Sequence, residues 1–384
     1  MSGVDLRPRG SRSRPDFLLL GAMGLLTALG ILMIFTASAP RLEAEGLDRS
    51  SLMVRQVWFV ALGLVVLLVA SLISDRTWHA ITPLIYGGTL VLLAAVLSPV
   101  GALRQGAQRW IDLGVIDLQP SEIAKPAVVL ALAVLLAPVH EASMRWRRVA
   151  KALALVALPA ALIFVQPDLG TMLVFGFVAL VMMFVAGTSV RQIVLLIALA
   201  LVALLAAVQL NILKAYQLDR IEGFFNLGDQ TLSINYNQNQ SQVAIGNGGL
   251  FGRGLFEGTQ TNLAFVPAQT TDFIFTAVGE QLGFVGGALV LGLYGLVILR
   301  MLMIAGAARD RFGQLVATGV AAMFGFHVFV NVGMTLGLLP VTGLPLPFLS
   351  YGGSFYLAMA LSVGIVNSIW MRRARLPGAL QLTR

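Results

Sequence analysis

Ten long apolar runs dominate this chain, at approximately 17–35, 57–73, 81–97, 123–137, 152–165, 169–186, 193–210, 273–299, 312–336 and 355–370. A bilayer core of about 30 Å takes roughly 20 apolar residues in a helix rising 1.5 Å per residue. The runs are continuous, whereas strands of a membrane barrel would be ~10-residue segments of alternating polarity. The pattern therefore predicts an all-α polytopic membrane protein with ten transmembrane helices. Composition agrees: 58% of residues are hydrophobic and 11% charged, against about 25% charged in a soluble domain. The absence of cysteine excludes disulfides, thiolate metal sites and cysteine nucleophiles. The three histidines are too few for a His-rich metal centre.

The first run precedes Ala37-Ser38-Ala39, which resembles a signal-peptidase site. A signal h-region has about 7–15 apolar residues; this run is longer and reads as a retained anchor. With the N-terminus inside, the inner segments hold 17 of the 26 Lys and Arg residues but 5 of the 18 acids. Cytoplasmic loops carry such a basic excess, so the expected topology is N-in/C-in. The net charge of +8 then marks orientation against anionic membrane lipid rather than a nucleic-acid surface. The expected organisation is one membrane domain, 1–384. It has a cytoplasmic tail at 1–16, a large extracytoplasmic loop at 211–272 between helices 7 and 8, and a second cytoplasmic tail at 371–384. No Walker A, Rossmann or zincin motif is present, so function is expected at the outer face or along a path through the bundle.

Ionisable residues at membrane depth are functional candidates by default. Asp272 lies in Val266-Pro267-Ala268-Gln269-Thr270-Thr271-Asp272-Phe273, where polar loop becomes apolar helix. It reads as a helix N-cap, as a general base at the outer interface, or as both. Glu280 lies about two turns deeper; a carboxylate there must be paired, protonated or water-lined, and a Lys or Arg partner is the structural reading. Glu122 and Lys125 share a helix face at i, i+3, either as a self-satisfying ion pair or with Lys125 meeting an anionic head group. Ser121 reads as that helix's N-cap, and Pro126 as a local distortion. Asp168, in Gln166-Pro167-Asp168-Leu169, reads first as an N-cap. Arg109, Asp112, Arg220 and Arg253 complete the outer set. The glycine-dense stretch 245–254 is a candidate anion nest. The stretch 343–354, with Pro345, Pro347, Gly352 and Gly353, reads as a re-entrant, cavity-shaping loop, since irregular backbone at membrane depth must be buried or line a cavity.

These motifs together resemble the SEDS family (shape, elongation, division and sporulation). They are Gly106-Ala107-Gln108-Arg109-Trp110, Gln119-Pro120-Ser121-Glu122-Ile123-Ala124-Lys125, Gln166-Pro167-Asp168-Leu169-Gly170-Thr171, Gly248-Gly249-Leu250-Phe251-Gly252-Arg253-Gly254, Thr271-Asp272-Phe273 and Ser350-Tyr351-Gly352-Gly353-Ser354. They run in family order over essentially the whole chain. Pro340-Val341-Thr342-Gly343-Leu344-Pro345-Leu346-Pro347-Phe348 is more similar to the elongation (RodA-like) branch than to the division (FtsW-like) branch. Ala268, Thr270, Pro126 and the 226–230 segment depart from the family wording.

The resemblance implies a peptidoglycan glycosyltransferase of the inner membrane, active on its extracytoplasmic face. Its substrate would be lipid II, a disaccharide-peptide on undecaprenyl pyrophosphate. Asp272 matches the family's essential aspartate. In the implied reaction a sugar hydroxyl attacks an anomeric carbon and lipid pyrophosphate leaves. With a reference pKa of about 3.9, Asp272 would accept the proton as the bond forms, a contribution of about 10²–10⁴-fold. Arg109, Lys125, Arg253 or a divalent cation (Mg or Mn) could neutralise the pyrophosphate, with Glu122, Ser350 and Gly352 in the substrate-binding set and Asp168 and Glu280 supporting. No penicillin-binding Ser-x-x-Lys constellation is visible in an outer domain, so a class B penicillin-binding protein is the expected transpeptidase partner. A lipid-precursor flippase and a scaffold for that partner are the rival readings.

Overall fold

The computed structural model describes residues 14–104, 107–112, 114, 117–138, 144–210, 218, 233–263 and 265–373. Most of the 1–16 tail, 211–217 and 219–232 of the long loop with Arg220, and 374–384 lie outside the described residues. The helices are α1 (Phe17–Ala44), α2 (Ser51–Leu72), α3 (Asp75–Val96), α4 (Pro120–Leu136), α5 (Trp146–Val165), α6 (Leu169–Val185), α7 (Val190–Gln209), α8 (Ser233–Gly248), α9 (Thr259–Asn262), α10 (Ile274–Ala307), α11 (Arg311–Thr335) and α12 (Gly353–Met371). Each of the ten apolar runs falls on one of α1–α7 and α10–α12. Eight of these helices are long and apolar enough to cross a membrane. The other two, α4 and α6, have 17 residues each, about 25 Å at 1.5 Å per residue.

The bundle is centred on α4. Fourteen of its residues are buried, among them the apolar positions Ala124, Val128, Leu132 and Leu136, and α3, α5, α6, α11 and α12 all pack against it. The helix runs on through Pro126, where a local distortion was expected. At the other extreme, α7 buries a single residue, Gln192, in its own N-terminal capping box with Ser189. An apolar helix with no buried face is stable in lipid and would not be in water.

Two features depart from an all-α reading with one uninterrupted outer loop. First, the stretch after α3 forms a three-stranded antiparallel sheet of β1 (Gly101–Arg104), β2 (Ala107–Asp112) and β3 (Asp117–Leu118), ordered β1-β2-β3. Its register shifts between Ala102 and Leu103. Second, the long loop contains α8, a polar helix rich in Asn and Gln. Gln238 donates to the carbonyls of Met334 (3.0 Å) and Leu339 (2.9 Å), and Ser241 to that of Thr335 (2.8 Å). The last carbonyls of a helix lack intrahelical donors, and one face of α8 supplies them for α11.

Helix α10 is broken. Gly283 sits at φ 67°, ψ −165° inside it. The 249–254 segment fills the break, pairing main chain to main chain. Arg253 and Gly254 donate to the carbonyls of Glu280 (2.9 Å) and Gln281 (3.2 Å), while Phe284 and Val285 donate to those of Gly249 (2.9 Å) and Leu250 (3.0 Å). A Cβ on residue 283 would stand 2.2 Å from the Gly252 nitrogen. Gly283→Ala combines that clash with a backbone region costing about 1–3 kcal/mol for a non-glycine residue. It should lower the melting temperature of the detergent-purified chain; an unshifted melt would show that the break tolerates a side chain.

Candidate active site

The turn that carries Asp272 folds around one carbonyl. The amides of Thr271, Asp272 and Phe273 all donate to Ala268 O, at 3.2, 3.1 and 3.1 Å. The cap position of α10 falls on Phe273, with no side-chain capping bond. Asp272 therefore lies one residue outside the cap, which corrects the N-cap reading, and the residue is partly buried.

A second irregular segment, 340–352, packs against this turn. Leu344, Leu346, Phe348, Leu349 and Ser350 are all buried, so this irregular segment is covered by protein. Tyr351 N donates to Thr270 O at 2.9 Å. Ser350 Oγ donates to Thr271 O at 2.5 Å and accepts from Leu346 N at 2.9 Å. The two segments meet closely at Gly343, where a Cβ would stand 3.4 Å from Asp272 Oδ2. Gly343 has φ 75°, a backbone that favours glycine. From behind, α11 reaches both segments. Asn331 Nδ2 donates to Asp272 O (2.6 Å) and to Leu344 O (2.7 Å), and one turn earlier His327 Nδ1 lies 3.0 Å from Pro345 O. A carbonyl only accepts, so His327 carries its proton on Nδ1.

Lys125 and Glu122 form a buried ion pair. Lys125 Nζ donates to Glu122 Oε1 at 2.8 Å and to Oε2 at 2.7 Å, with the Lys side chain 0% and the Glu side chain 5% exposed. The ammonium lies 5.2 Å from the Phe355 ring centroid, and that ring also packs on His327 at 5.1 Å. Of the two sequence readings, this geometry is the self-satisfied pair.

The remaining predicted residues act in the frame. Arg109 on β2 donates through Nε to Gln166 O at 2.8 Å and through a terminal nitrogen to Pro167 O, tying the sheet to the turn before α6. Asp168 caps α6, accepting from Thr171 N at 3.1 Å and Thr171 Oγ1 at 2.9 Å. It also accepts from Ser121 Oγ at 3.4 Å. Ser121 thus lies inside α4, whose N-cap is Gln119, and not at its cap. Glu280, fully buried, pairs with no Lys or Arg in the ion pairs seen. It accepts from Gln260 N (2.8 Å), Thr261 N (2.9 Å) and Thr261 Oγ1 (2.6 Å), so amides at the start of α9 replace the expected basic partner. Arg253 is exposed, with Nε on Asn247 O at 2.8 Å. The amides of Gly252, Arg253 and Gly254 donate to the carbonyls of Gly248, Glu280 and Gln281, so the glycine-dense stretch is a structural plug rather than an anion nest. Gly352 N donates to Gln56 Oε1 at 3.3 Å.

Asn331, His327, Gln56 and Arg55 escape the sequence reading. Arg55 faces Asp117 at 3.9 Å. Burial raises the Tyr351 phenol above its usual range, against the opposing pull of Arg55. The signal that could have found Asn331 and Gln56 is a lone amide in an apolar helix, since such polar groups need buried partners. Among the described residues no three His, Asp or Glu side chains converge to hold a metal ion, so no step is assigned to a protein-bound cation.

Apolar helices around a buried Lys–Glu pair, with a buried irregular loop and a partly buried aspartate at one end, define a multi-pass membrane protein with its polar machinery at the helix ends. The family of cell cycle proteins that includes FtsW, RodA and SpoVE matches residues 16–375, and the chain belongs to it. It is 39% identical over 335 residues to the peptidoglycan glycosyltransferase MrdB of Escherichia coli K12, covering 87% of this chain and 89% of MrdB. The structure is similar to a chain from a peptidoglycan synthase complex solved for its coordination of polymerization and crosslinking. That match has TM-score 0.79 and 33% identity, over 92% of this chain and 97% of that one. It is also similar to the rod shape determining protein RodA of Thermus thermophilus (TM-score 0.70, 31% identity, 94% of this chain and 98% of that one).

Proposed function

We propose that the chain is a peptidoglycan glycosyltransferase that polymerises lipid II into glycan strands on the outer face of the cytoplasmic membrane, in the elongation role. The observation that carries this is the setting of Asp272. It is a partly buried aspartate at the junction of polar loop and apolar helix, held by two other segments of chain. A lipid-linked sugar sits at that depth, with its tail among the helices and its head group at the interface. Asp272 is the general base on the acceptor hydroxyl, and undecaprenyl pyrophosphate leaves without needing a proton. Arg109, Arg253 or a divalent cation arriving with the pyrophosphate balances its charge, while Lys125 stays paired with Glu122. The basic inner segments support an N-in/C-in arrangement with ten crossings, α4 and α6 being accommodated by slight local thinning of the bilayer. The partner is a class B penicillin-binding protein that crosslinks the strands.

The break in α10 would be the feature favouring a carrier, since transporters bind substrate at interrupted helices near mid-membrane. Here bonds from 249–254 take up the carbonyls of Glu280 and Gln281 and the amides of Phe284 and Val285, which argues against a cargo site at the break. The test is purified protein with labelled lipid II. Glycan strands from the wild type support the enzyme; none, even with the partner present, would turn the reading to a carrier or scaffold.

A further inference from the structure

We propose that Asn331 is a positioning residue for Asp272; this rests on the reading of Asp272 as the general base. Asn331 is fully buried on α11. Its amide group is the one side chain seen bridging the two irregular segments from behind, with Nδ2 donating at 2.6 Å to the carbonyl of Asp272 itself and at 2.7 Å to that of Leu344. Both acceptors are carbonyls, so the amide orientation is fixed: the NH₂ group must face them. Its own Oδ1 has no hydrogen-bond partner among the described residues. A buried amide that leaves its oxygen unsatisfied, at about 1–3 kcal/mol, to give both hydrogens to these two carbonyls is placed for what it holds.

What it holds is the separation of Asp272 from Gly343. The two carbonyls that Asn331 bridges belong to Asp272 and to the neighbour of Gly343, the residue that stands against the carboxylate. On the far side Ser350 Oγ and Tyr351 N fasten the preceding two residues, Thr271 and Thr270. The Asp272 main chain is thereby held at three consecutive carbonyls, 270, 271 and 272. A misplacement of about 1 Å by a residue away from the chemistry can lower a rate about 10²-fold, and Asn331 controls a displacement of that kind.

The test uses the full chain with labelled lipid II, titrated to separate kcat from KM. Asn331→Asp keeps the shape and removes both N–H donors. The expected result is a kcat lowered about 10- to 100-fold with KM within about twofold. The deficit relative to wild type should shrink in acid, where the new carboxyl regains one O–H donor. A purely packing role would not produce that pH-dependent recovery. Ser350→Ala repeats the test from the other side should Asn331→Asp fail to fold. It removes the bond to Thr271 O and should lower kcat at unchanged KM. Wild-type kcat in a folded Asn331→Asp, or in Ser350→Ala where the first does not fold, overturns the proposal; so does a raised KM at unchanged kcat. If Asp272→Asn is inactive in the same assay while Asn331→Asp is fully active, only the positioning role falls. Full activity in Asp272→Asn removes the base assignment itself.

Discussion

Asp272→Asn should bind lipid II with near-wild-type KM and polymerise it about 10²–10⁴-fold more slowly, the range contributed by a positioned general base. The amide preserves the shape beside Gly343 and cannot take the hydroxyl proton. Stability should change little, because the α10 cap is Phe273 and Asn331 holds residue 272 through its main-chain carbonyl. Single-turnover polymerisation followed by gel, together with a thermal melt, separates the two effects. A rate within a few fold of wild type would remove Asp272 from the chemistry. A large drop in melting temperature would move its role towards the fold.

Lys125→Met should be the most destabilising single change in the bundle. It leaves the Glu122 carboxylate buried without its cation, a loss of about 3–5 kcal/mol when one partner of a buried pair is removed. Glu122→Gln should be comparably harmful by orphaning the ammonium. The double variant Glu122→Gln/Lys125→Met should recover much of the loss, because replacing a buried pair by neutral groups of similar volume is often close to neutral. The strong non-additivity is what contact between the two predicts. A double variant that melts like the wild type yet fails to polymerise lipid II would show that the pair also serves the reaction. A fully active one would confine it to the core.

The sequence was most informative where a single local rule decides the structure. Spans follow from apolar length, and all ten runs became helices. Asp168 followed from its place before an apolar helix, and the buried irregular loop from its prolines and glycines. The misses share a different cause: they depend on what arrives from elsewhere in the chain. Nothing near Glu280 indicates that the amides of Gln260 and Thr261 will meet it from twenty residues upstream. Nothing in Gly283 alone separates a tolerated helix glycine from a break, because the break exists only where the 249–254 main chain can pair with it. Helix α8 is mostly polar; it buries Ala244 and packs Ile245 towards α10 while Gln238 and Ser241 satisfy the end of α11. Asn331 stands out as an amide in an apolar helix, but its partners lie 59 and 13 positions away and cannot be read from its neighbours.

The interruption at Gly283 divides α10 into two pieces with different attachments. The C-terminal piece, 284–307, is a long apolar rod. The N-terminal piece, 274–282, is joined by main-chain bonds to the 249–254 segment and through Glu280 to α9. Mechanically it belongs to the loop. A push on the 249–254 segment would therefore be delivered to the start of α10, and so to Asp272, without having to tilt a full-length helix. A protein docking on that loop would have a short lever to the carboxylate, with Gly283 as its pivot.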